Sequence, residues 1–393
     1  MKTKYLCFFL VVLFVVSFFY SFLSNKEENV GLDEVKAVYF SYIEFDNYIA
    51  NKNENDSKNN IKMIIENLKK YGFNRIIVHV RPFSDSIYLS KIFPVSEFVL
   101  NDKGNYPNYD VLKYFIEVAH NNGISFDAWV NPYRISNLKD ISKFSKDNIF
   151  FKYNKNGLAK ITDSGVYLNP ASDEVQKLIV SGIEEIVKNY DVDGIHFDDY
   201  FYPDNEIDNE YYNNYRNSGG KLSLSQYRYQ NINNLLKSVY SSIKKINNKI
   251  LFGVAPEGNI NNCYDNSYLD VKTILSNEGY VDYVMPQIYY SFLNQSKPFV
   301  DTINEWKNLI KVSSIKMIPA LAMYKSGNYD KYALKGSNEW IENSDIIKRE
   351  IDYLKSNDNY NGFSIFSYNY LFNEKYFNNQ NRIEFKNLIE SIK

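Results

Sequence analysis

Two neighbouring carboxylates follow a short apolar segment near the middle of the chain. Asp198 and Asp199 come directly after residues 194–197, and a third acid, Glu257, follows another apolar segment that ends at Ala255. Carboxylates are rarely buried without a partner or a purpose. Hydrolysis of a glycosidic bond needs two of them: one protonates the leaving oxygen, and the other attacks or stabilises the sugar. Each Asp taken alone could instead cap a loop or pair with an arginine.

The alternation of side chains along a strand indicates which acid faces the reaction. His196 and Asp198 share one face of the segment, and Asp199 shares the other face with Phe197. If Phe197 packs outward, Asp198 points inward, so Asp198 is favoured over Asp199 as nucleophile or stabilising carboxylate. Glu257 lies between a proline and a glycine, where nearby aromatics can desolvate it and raise its pKa. It is therefore predicted to be the general acid/base.

The geometry of neighbouring strands leaves the stereochemical outcome open. Strands about 4.8 Å apart suit the roughly 5 Å gap of a retaining pair of carboxyl groups. A loop that shifts Glu257 would give the wider gap of an inverting enzyme.

These acids belong to a regular alternation of β-rich and amphipathic segments. The predicted strands cover residues 35–41, 75–81, 124–130, 194–198, 250–255, 283–289, 316–322 and 362–367. The predicted helices cover residues 57–71, 109–122, 172–190, 225–246, 267–278, 299–311, 344–356 and 382–392. Eight strand–helix units predict an α/β fold, a (β/α)8 TIM barrel whose long βα loops collect on the functional face. An open doubly wound sheet is the alternative, but no Gly-rich phosphate loop follows the first strand.

Polar and aromatic side chains follow most of the predicted strands. In a barrel these strand ends meet at one mouth, where aromatic faces can stack on sugar rings and amide or guanidinium groups can bind hydroxyls. The candidate substrate-binding residues are Arg81, Asn131, Tyr133, Arg134, His196, Tyr200, Gln287, Tyr289, Tyr290 and Tyr324. His196 would lie one layer below Asp198, where it either bonds to Asp198 or to a hydroxyl, or is a satisfied core histidine. Arginines near Asp198 would keep it ionised.

The N-terminal sequence has the pattern of an export signal. Lys2 and Lys4 precede an uncharged apolar run from Tyr5 to Leu23, close to the roughly 20 residues that span a bilayer. The segment is either a cleaved signal peptide or an uncleaved membrane anchor, with residues 1–29 as leader plus linker and residues 30–393 as the catalytic domain. The positive-inside rule then predicts an extracytoplasmic domain, secreted or anchored to the cytoplasmic membrane facing the cell wall.

Composition argues against several other classes. The net charge of −2 does not suggest a nucleic-acid partner. Two cysteines, one of them in the leader, cannot form a disulfide framework. Three histidines, His79, His120 and His196, form no zinc-binding motif. The sequence therefore predicts neither a metal nor a cofactor.

Several motifs together resemble the glycosyl-hydrolase-like 10 family of bacterial exported barrel proteins. They lie at residues 80–86, 128–134, 167–170, 193–203, 256–258 and 285–290, within a resemblance that runs from about Val35 to Tyr370. The resemblance implies a (β/α)8 fold and a cell-envelope glycosidase. Some members resemble hydrolases of peptidoglycan glycan strands that have lost their stem peptides.

Three function classes follow from these observations. The favoured one is an exported glycoside hydrolase that acts on a cell-envelope polysaccharide by a two-carboxylate mechanism. A barrel that binds glycan without cleaving it differs only in carboxylate geometry. A metal-dependent hydrolase or deacetylase would need more ligands at the mouth than His79 and His196 supply.

Overall fold

The computed structural model describes residues 32, 34–203, 206–358 and 360–392, and its centre is a ring of parallel strands. The strands, in chain order, are β1 Val35–Phe40, β2 Arg75–Arg81, β3 Ser125–Val130, β4 Arg134–Ser136, β5 Ala159–Thr162, β6 Gly165–Leu168, β7 Gly194–Phe197, β8 Leu251–Val254, β9 Tyr283–Val284, β10 Lys316–Met317, β11 Ala320–Ala322 and β12 Gly362–Phe366. The ring runs in the order β10, β9, β8, β7, β3, β2, β1, β12, β11. The remaining strands, β4 to β6, form a small antiparallel sheet in the loop after β3.

The two end strands of this order are halves of one segment, residues 316–322. Its first half, β10, pairs with β9, and its second half, β11, pairs with β12. Between them, the Ile318 amide donates to Val284 at 2.9 Å, and the Pro319 carbonyl accepts from Ser364 at 2.9 Å. The segment is thus bonded on both sides, and within the described residues the ring closes with eight strand segments, residues 316–322 counting as one. The predicted (β/α)8 barrel is confirmed.

Helices surround the ring and alternate with its strands. They are α1 Tyr42–Tyr48, α2 Glu54–Lys70, α3 Val111–Asn121, α4 Phe150–Tyr153, α5 Asp173–Asn189, α6 Asn209–Asn217, α7 Leu224–Ile246, α8 Ile260–Asp265, α9 Val271–Ser276, α10 Phe299–Leu309, α11 Glu339–Glu342, α12 Ile346–Lys355, α13 Tyr368–Phe372 and α14 Asn379–Ile392. One long helix follows each strand of the ring along the chain. These helices form the outer ring and are α2, α3, α5, α7, α9, α10, α12 and α14. The others are short insertions in loops, which the sequence did not predict.

Local signals explain where the long helices begin and end. In α2 the Asn53 side chain accepts from the Asp56 amide at 2.9 Å, and the apolar stripe that includes Ile61, Ile64 and Leu68 is fully buried. Each such side chain contributes roughly 1.5–3 kcal/mol when it leaves water. Helix α3 ends at Asn121, and Gly123 shortly after it takes φ +72°, a left-handed conformation that glycine favours at a helix C-terminus.

One predicted strand is shorter than expected because a proline interrupts it. Residues 283–289 form only the two-residue β9, because Pro286 has no amide hydrogen for the ladder. The Met285 and Gln287 amides still donate to Val254 and Pro256, so the segment follows β8 to the mouth.

The barrel interior holds an apolar layer and a buried polar network. Val35, Ala37, Ile77, Met285 and Ile318 belong to the apolar cluster inside the ring, whereas the larger cluster lies between the ring and the helices. The polar network requires a glycine at position 194, because a Cβ there would overlap the Asp127 carboxylate. The predicted leader lies outside the described residues. In the part of the chain that is described, no helix is long and apolar enough to cross a membrane.

Candidate active site

A cavity of about 260 Å³ opens at the carboxyl ends of the ring strands. Its walls combine acids, an arginine, an amide and aromatic rings, and its lining residues are Tyr39, Ser41, Tyr42, Ile43, His79, Trp129, Arg134, Asp198, Asp199, Tyr200, Ala255, Gln287, Tyr289, Tyr324 and Phe366. We call it the mouth cavity. Of the predicted site residues, Asp198, Asp199, Arg134, Tyr200, Gln287, Tyr289 and Tyr324 line it.

Asp198 is held in the mouth cavity by neutral donors. Its Oδ2 accepts from Trp129 Nε1 and from Asn131 Nδ2, both at 3.1 Å, and its Oδ1 accepts from the Tyr200 amide at 3.4 Å. The side chain points inward while Phe197 packs outward against Phe252, as the alternation predicts. Burial raises the pKa of Asp198 to about 6, although the Arg134 charge and these hydrogen bonds favour the ionised form.

Asp199 also lines the mouth cavity, which differs from the predicted opposite face. Strand β7 ends at Phe197, and the chain then turns, with the Phe201 amide donating to the Asp199 carbonyl at 3.0 Å. The strand alternation therefore no longer applies at Asp199, and its carboxyl group bonds to the Gln287 side chain. Burial and the neighbouring Asp198 charge raise the pKa of Asp199 to about 7.

Glu257 lies beside the two aspartates but is not among the described residues that line the mouth cavity. The Glu257 backbone forms a parallel β-bridge with Gln287 at the ends of neighbouring strands. The Glu257 Oε2 accepts from Asn262 Nδ2 at 2.7 Å. Its charge reaches the cavity, since it contributes to the raised pKa of Asp199. The three acids therefore share one end of the barrel, as predicted.

Aromatic residues and an amide form the wall opposite Arg134. Gln287 Nε2 donates to the Ala255 carbonyl at 2.9 Å, which fixes the amide beside Asp199. The Tyr289 ring meets the Tyr324 ring edge to face at 5.7 Å, and both pack against Phe366 at 6.1 Å. Tyr290, the next residue, points away from the mouth cavity toward Gly258.

Arg134 lies over three aromatic rings at the other wall. Its guanidinium carbon is 4.4 Å from the Tyr200 centroid, 4.7 Å from Phe83 and 5.9 Å from Tyr42. The Asn131 side chain accepts from the Arg134 amide at 2.9 Å while donating to Asp198. Asn131 itself is fully buried, so it positions Asp198 and Arg134 instead of facing the cavity.

Arg81 and Tyr133, both predicted to bind substrate, lie outside the mouth cavity. A bulge in β2 between His79 and Arg81 reverses the alternation and turns Arg81 toward the helices. There its Nη2 donates at 3.0 Å to Tyr88 and to the carbonyl of Gly182, and a Cβ at Gly182 would come within 2.7 Å of the guanidinium. Tyr133 is fully buried in the outer core. Neither residue is retained as a substrate contact.

His196 is a satisfied core histidine one layer below the carboxylates. Its Nε2 is 3.1 Å from the Tyr39 hydroxyl, and its Nδ1 is 3.1 Å from the Tyr283 hydroxyl. Burial lowers the pKa of His196 to about 3, with the Arg75 charge acting in the same direction, so the ring is neutral. Both ring nitrogens bond to tyrosine hydroxyls of the barrel, so His196 is the core histidine of the two alternatives and is not retained as a substrate contact.

Several cavity residues were absent from the predicted site. Tyr39, Tyr42 and His79 lie on or next to the first two strands, and His79 stacks on Trp129 with centroids 3.7 Å apart. The strand alternation contained a usable signal for Tyr39, since it shares a face with Val35 and Ala37 inside the ring. Tyr42 follows the strand on α1, a helix the sequence did not predict.

The arrangement suits acid–base hydrolysis of a sugar. Two carboxyl groups in one cavity have different surroundings, which is how a site keeps one acid protonated and the other charged. The ring faces around them fit a pyranose, and the amide and guanidinium groups can bind its hydroxyls. Within the described ranges, no group of three or more His, Cys, Asp or Glu side chains could hold a metal ion.

Comparison with known proteins gives a consistent family. The family model described as glycosyl hydrolase-like 10 matches residues 34–340. Glycosyl hydrolase YngK of Bacillus subtilis (strain 168) is 29% identical over 372 residues, covering 88% of this chain and 71% of YngK. Glycosyl hydrolase DigH of Escherichia coli (strain K12) is 28% identical over 334 residues, covering 78% of this chain and 74% of DigH.

Solved structures with the same architecture are more distant in sequence. The glycoside hydrolase domain of PgaB (BpsB) from Bordetella bronchiseptica aligns with a TM-score of 0.55 at 12% identity, over 85% of this chain and 94% of that domain. The catalytic domain of β-amylase from Paenibacillus polymyxa aligns with a TM-score of 0.54 at 12% identity, over 92% and 99%. At such identities they show the barrel fold alone. Because the family model spans most of the chain, this protein belongs to the glycosyl hydrolase-like 10 family and is a glycosidase.

Proposed function

We propose that this glycosidase hydrolyses a cell-envelope polysaccharide, namely peptidoglycan glycan strands, outside the cytoplasmic membrane. The observation that carries the proposal is the pair Asp198 and Asp199 in one aromatic-lined cavity. Removal of stem peptides leaves a lactyl carboxylate on alternate sugars of a glycan strand. The Arg134 guanidinium at the cavity wall is suited to bind such an anion.

The two aspartates take different roles in the proposed reaction. Asp199, whose pKa is raised to about 7, protonates the glycosidic oxygen as the bond to the anomeric carbon breaks. Asp198 remains charged beside Arg134 and acts as nucleophile or stabilises the positive charge that develops on the sugar ring. Water then completes the hydrolysis. Both the retaining and the inverting course are compatible with these roles.

This assignment moves the general acid from Glu257 to Asp199. The reason is position, since Asp199 lines the mouth cavity, whereas Glu257 is not among its lining residues and its carboxylate accepts from Asn262. Glu257 then acts on the charge balance of the site instead of on the substrate.

Export is the second part of the proposal. It rests on Lys2, Lys4 and the apolar run from Tyr5 to Leu23. Fractionation of cells that express the full chain should recover the protein outside the cytosol, either released or held at the membrane. Recovery of full-length protein only in the cytosol would contradict export.

The function is tested by digestion of purified glycan strands with the full barrel domain. We expect shorter oligosaccharides by mass spectrometry, in equal yield with and without a strong chelator. Loss of activity on chelation would favour the metal-dependent hydrolase. Binding of the strands without cleavage of any glycan in a broad panel would replace the glycosidase mechanism with a glycan-binding role.

A further inference from the structure

A second depression lies next to the mouth cavity, between the loops that follow β2 and β3. We call it the β2–β3 groove; its volume is about 620 Å³, and its walls include Phe83, Phe98, Asn137, Lys143 and Phe144. None of these residues lines the mouth cavity, and the proposed reaction uses none of them.

The groove and the mouth cavity share one wall. Tyr42 lines both, and its ring packs against Phe83 at 4.9 Å and Phe98 at 5.3 Å on the groove side. Arg134, which lines the mouth cavity, lies 4.7 Å from the centroid of Phe83. A ligand that leaves the carboxylates past Arg134 therefore meets the groove next.

The sizes of the two depressions point to an extended ligand. The mouth cavity, at about 260 Å³, is below the roughly 300–1,000 Å³ of ordinary ligand sites. The groove, at about 620 Å³, falls well within that range. A mono- or disaccharide at the carboxylates would leave the groove without a ligand.

The groove has the composition of a sugar site. Phe83 and Phe144 are half-buried rings, and Asn137 and Lys143 are exposed polar side chains on the same walls. Asp85 and Glu97 also line the groove, and their carboxyl oxygens can accept from sugar hydroxyls. Ring faces stack on the apolar faces of pyranoses, while amides and ammonium groups bind hydroxyl and carboxylate oxygens. This is the same combination that surrounds Asp198.

We propose that the β2–β3 groove binds further sugar units of the chain whose scissile bond lies at Asp198 and Asp199. The enzyme then prefers long glycan chains and binds them on the side of the loops that follow β2 and β3. This inference rests on the proposed function, because it takes the cleaved polymer as the occupant.

The test compares two phenylalanines of one aromatic cluster. Phe144 lines the groove, whereas Phe151 packs against it at 6.5 Å and is not among the groove residues. Phe144 is half-buried against the core, whereas Phe151, on α4, is 41% exposed, so the thermal unfolding of both Phe144→Ala and Phe151→Ala is measured as the control for folding. Glycan oligosaccharides of increasing length are the probes, and kcat/KM is measured on each.

For the wild type, kcat/KM should rise with chain length. Phe144→Ala should lower it by about threefold to tenfold on the longest chains, with a loss that shrinks as the chain shortens. Phe151→Ala should follow the wild type at every length. Equal losses on short and long chains, or equal effects of the two variants, would overturn the groove proposal.

Failure of the proposed function has a different signature. If the wild type cleaves no glycan, the hydrolase proposal fails, and the groove is then tested by calorimetric binding of long glycan strands. Weaker binding by Phe144→Ala than by Phe151→Ala would support the groove as a glycan site, and equal binding would refute it.

Discussion

Two aspartates inside the barrel are equally buried but differ in their partners. Asp127, in the middle of β3, forms an ion pair with Arg75 and accepts from the Tyr283 hydroxyl at 2.9 Å. Asp198, after the end of β7, accepts from an indole, an amide and a backbone N–H, and it faces the mouth cavity. The first acid is enclosed by protein on every side that the structure describes, while the second is open to a ligand.

The difference separates a structural carboxylate from a chemical one. A direct ion pair in the interior offsets the loss of hydration of the carboxylate. The paired carboxylate is then no longer free to interact with a ligand charge. Among the described residues, Asp198 accepts from neutral donors and has the Arg134 charge nearby, so its charge remains available to a developing cation on the substrate. If this comparison holds, substitutions at the two positions should affect different properties of the enzyme.

Removal of the acid beside Asp198 should have the largest effect on activity. Asp199→Asn keeps the shape of the side chain but cannot donate a proton to the leaving oxygen, so kcat should fall by about 10²- to 10⁴-fold. Asp198→Asn should lose activity on a similar scale, because the developing charge is no longer stabilised. The measurement is glycan cleavage per folded molecule, with thermal unfolding as the control. Activity within twofold of wild type in either variant would contradict its assigned role.

The corresponding change at the structural acid should act on stability. Asp127→Ala leaves the Arg75 guanidinium buried without its partner, which typically costs about 3–5 kcal/mol of unfolding free energy. Denaturant unfolding measures this loss, and kcat of the folded fraction should remain near that of wild type.

A double variant sharpens the second test. Asp127→Leu together with Arg75→Met replaces both charges by apolar groups, so it should be more stable than Asp127→Ala alone. If the single variant unfolds at the same denaturant concentration as wild type, the ion pair contributes nothing measurable and the comparison fails.

The fold was largely predictable because its signals are local. The predicted helices 57–71 and 109–122 correspond to α2 and α3, because an apolar stripe and a glycine after the helix depend on neighbours a few residues away. Strand β2 covers the predicted residues 75–81. Where a proline interrupts pairing, as at Pro286, the strand is shorter than the apolar pattern indicates.

The site was predictable to the extent that side chains follow strand alternation. This placed Asp198 inward and Phe197 outward. It failed at Arg81, because a bulge reverses the faces of β2, and at Asp199, because the strand has already ended. Neither the bulge in β2 nor the end of β7 can be read from the local sequence pattern, since both depend on how neighbouring strands align.

The pH dependence follows from the two raised pKa values. The proposed reaction needs Asp198 ionised and Asp199 protonated, that is, one proton on the pair. Below the value of about 6 for Asp198 the nucleophile is lost by protonation, and above the value of about 7 for Asp199 the proton donor is lost. The profile of kcat/KM should therefore be bell-shaped, with a maximum between about 6 and 7 and a decline of about tenfold per pH unit on either side. A flat profile from pH 5 to pH 9 would contradict this pairing of roles.

The smallest effect is expected at Glu257, the acid that lies next to the mouth cavity without lining it. Glu257→Gln preserves an oxygen that accepts from Asn262 and removes only a charge. Because that charge helps to raise the pKa of Asp199, its loss should lower this pKa and move the alkaline limb of the profile to lower pH. At the optimum, kcat should fall by less than about tenfold, well below the loss expected for a missing general acid. The pH profile of the variant decides between the two roles: a shifted alkaline limb with most of the rate retained supports Asp199 as the acid. A loss of about 10²-fold or more at every pH would return that role to Glu257.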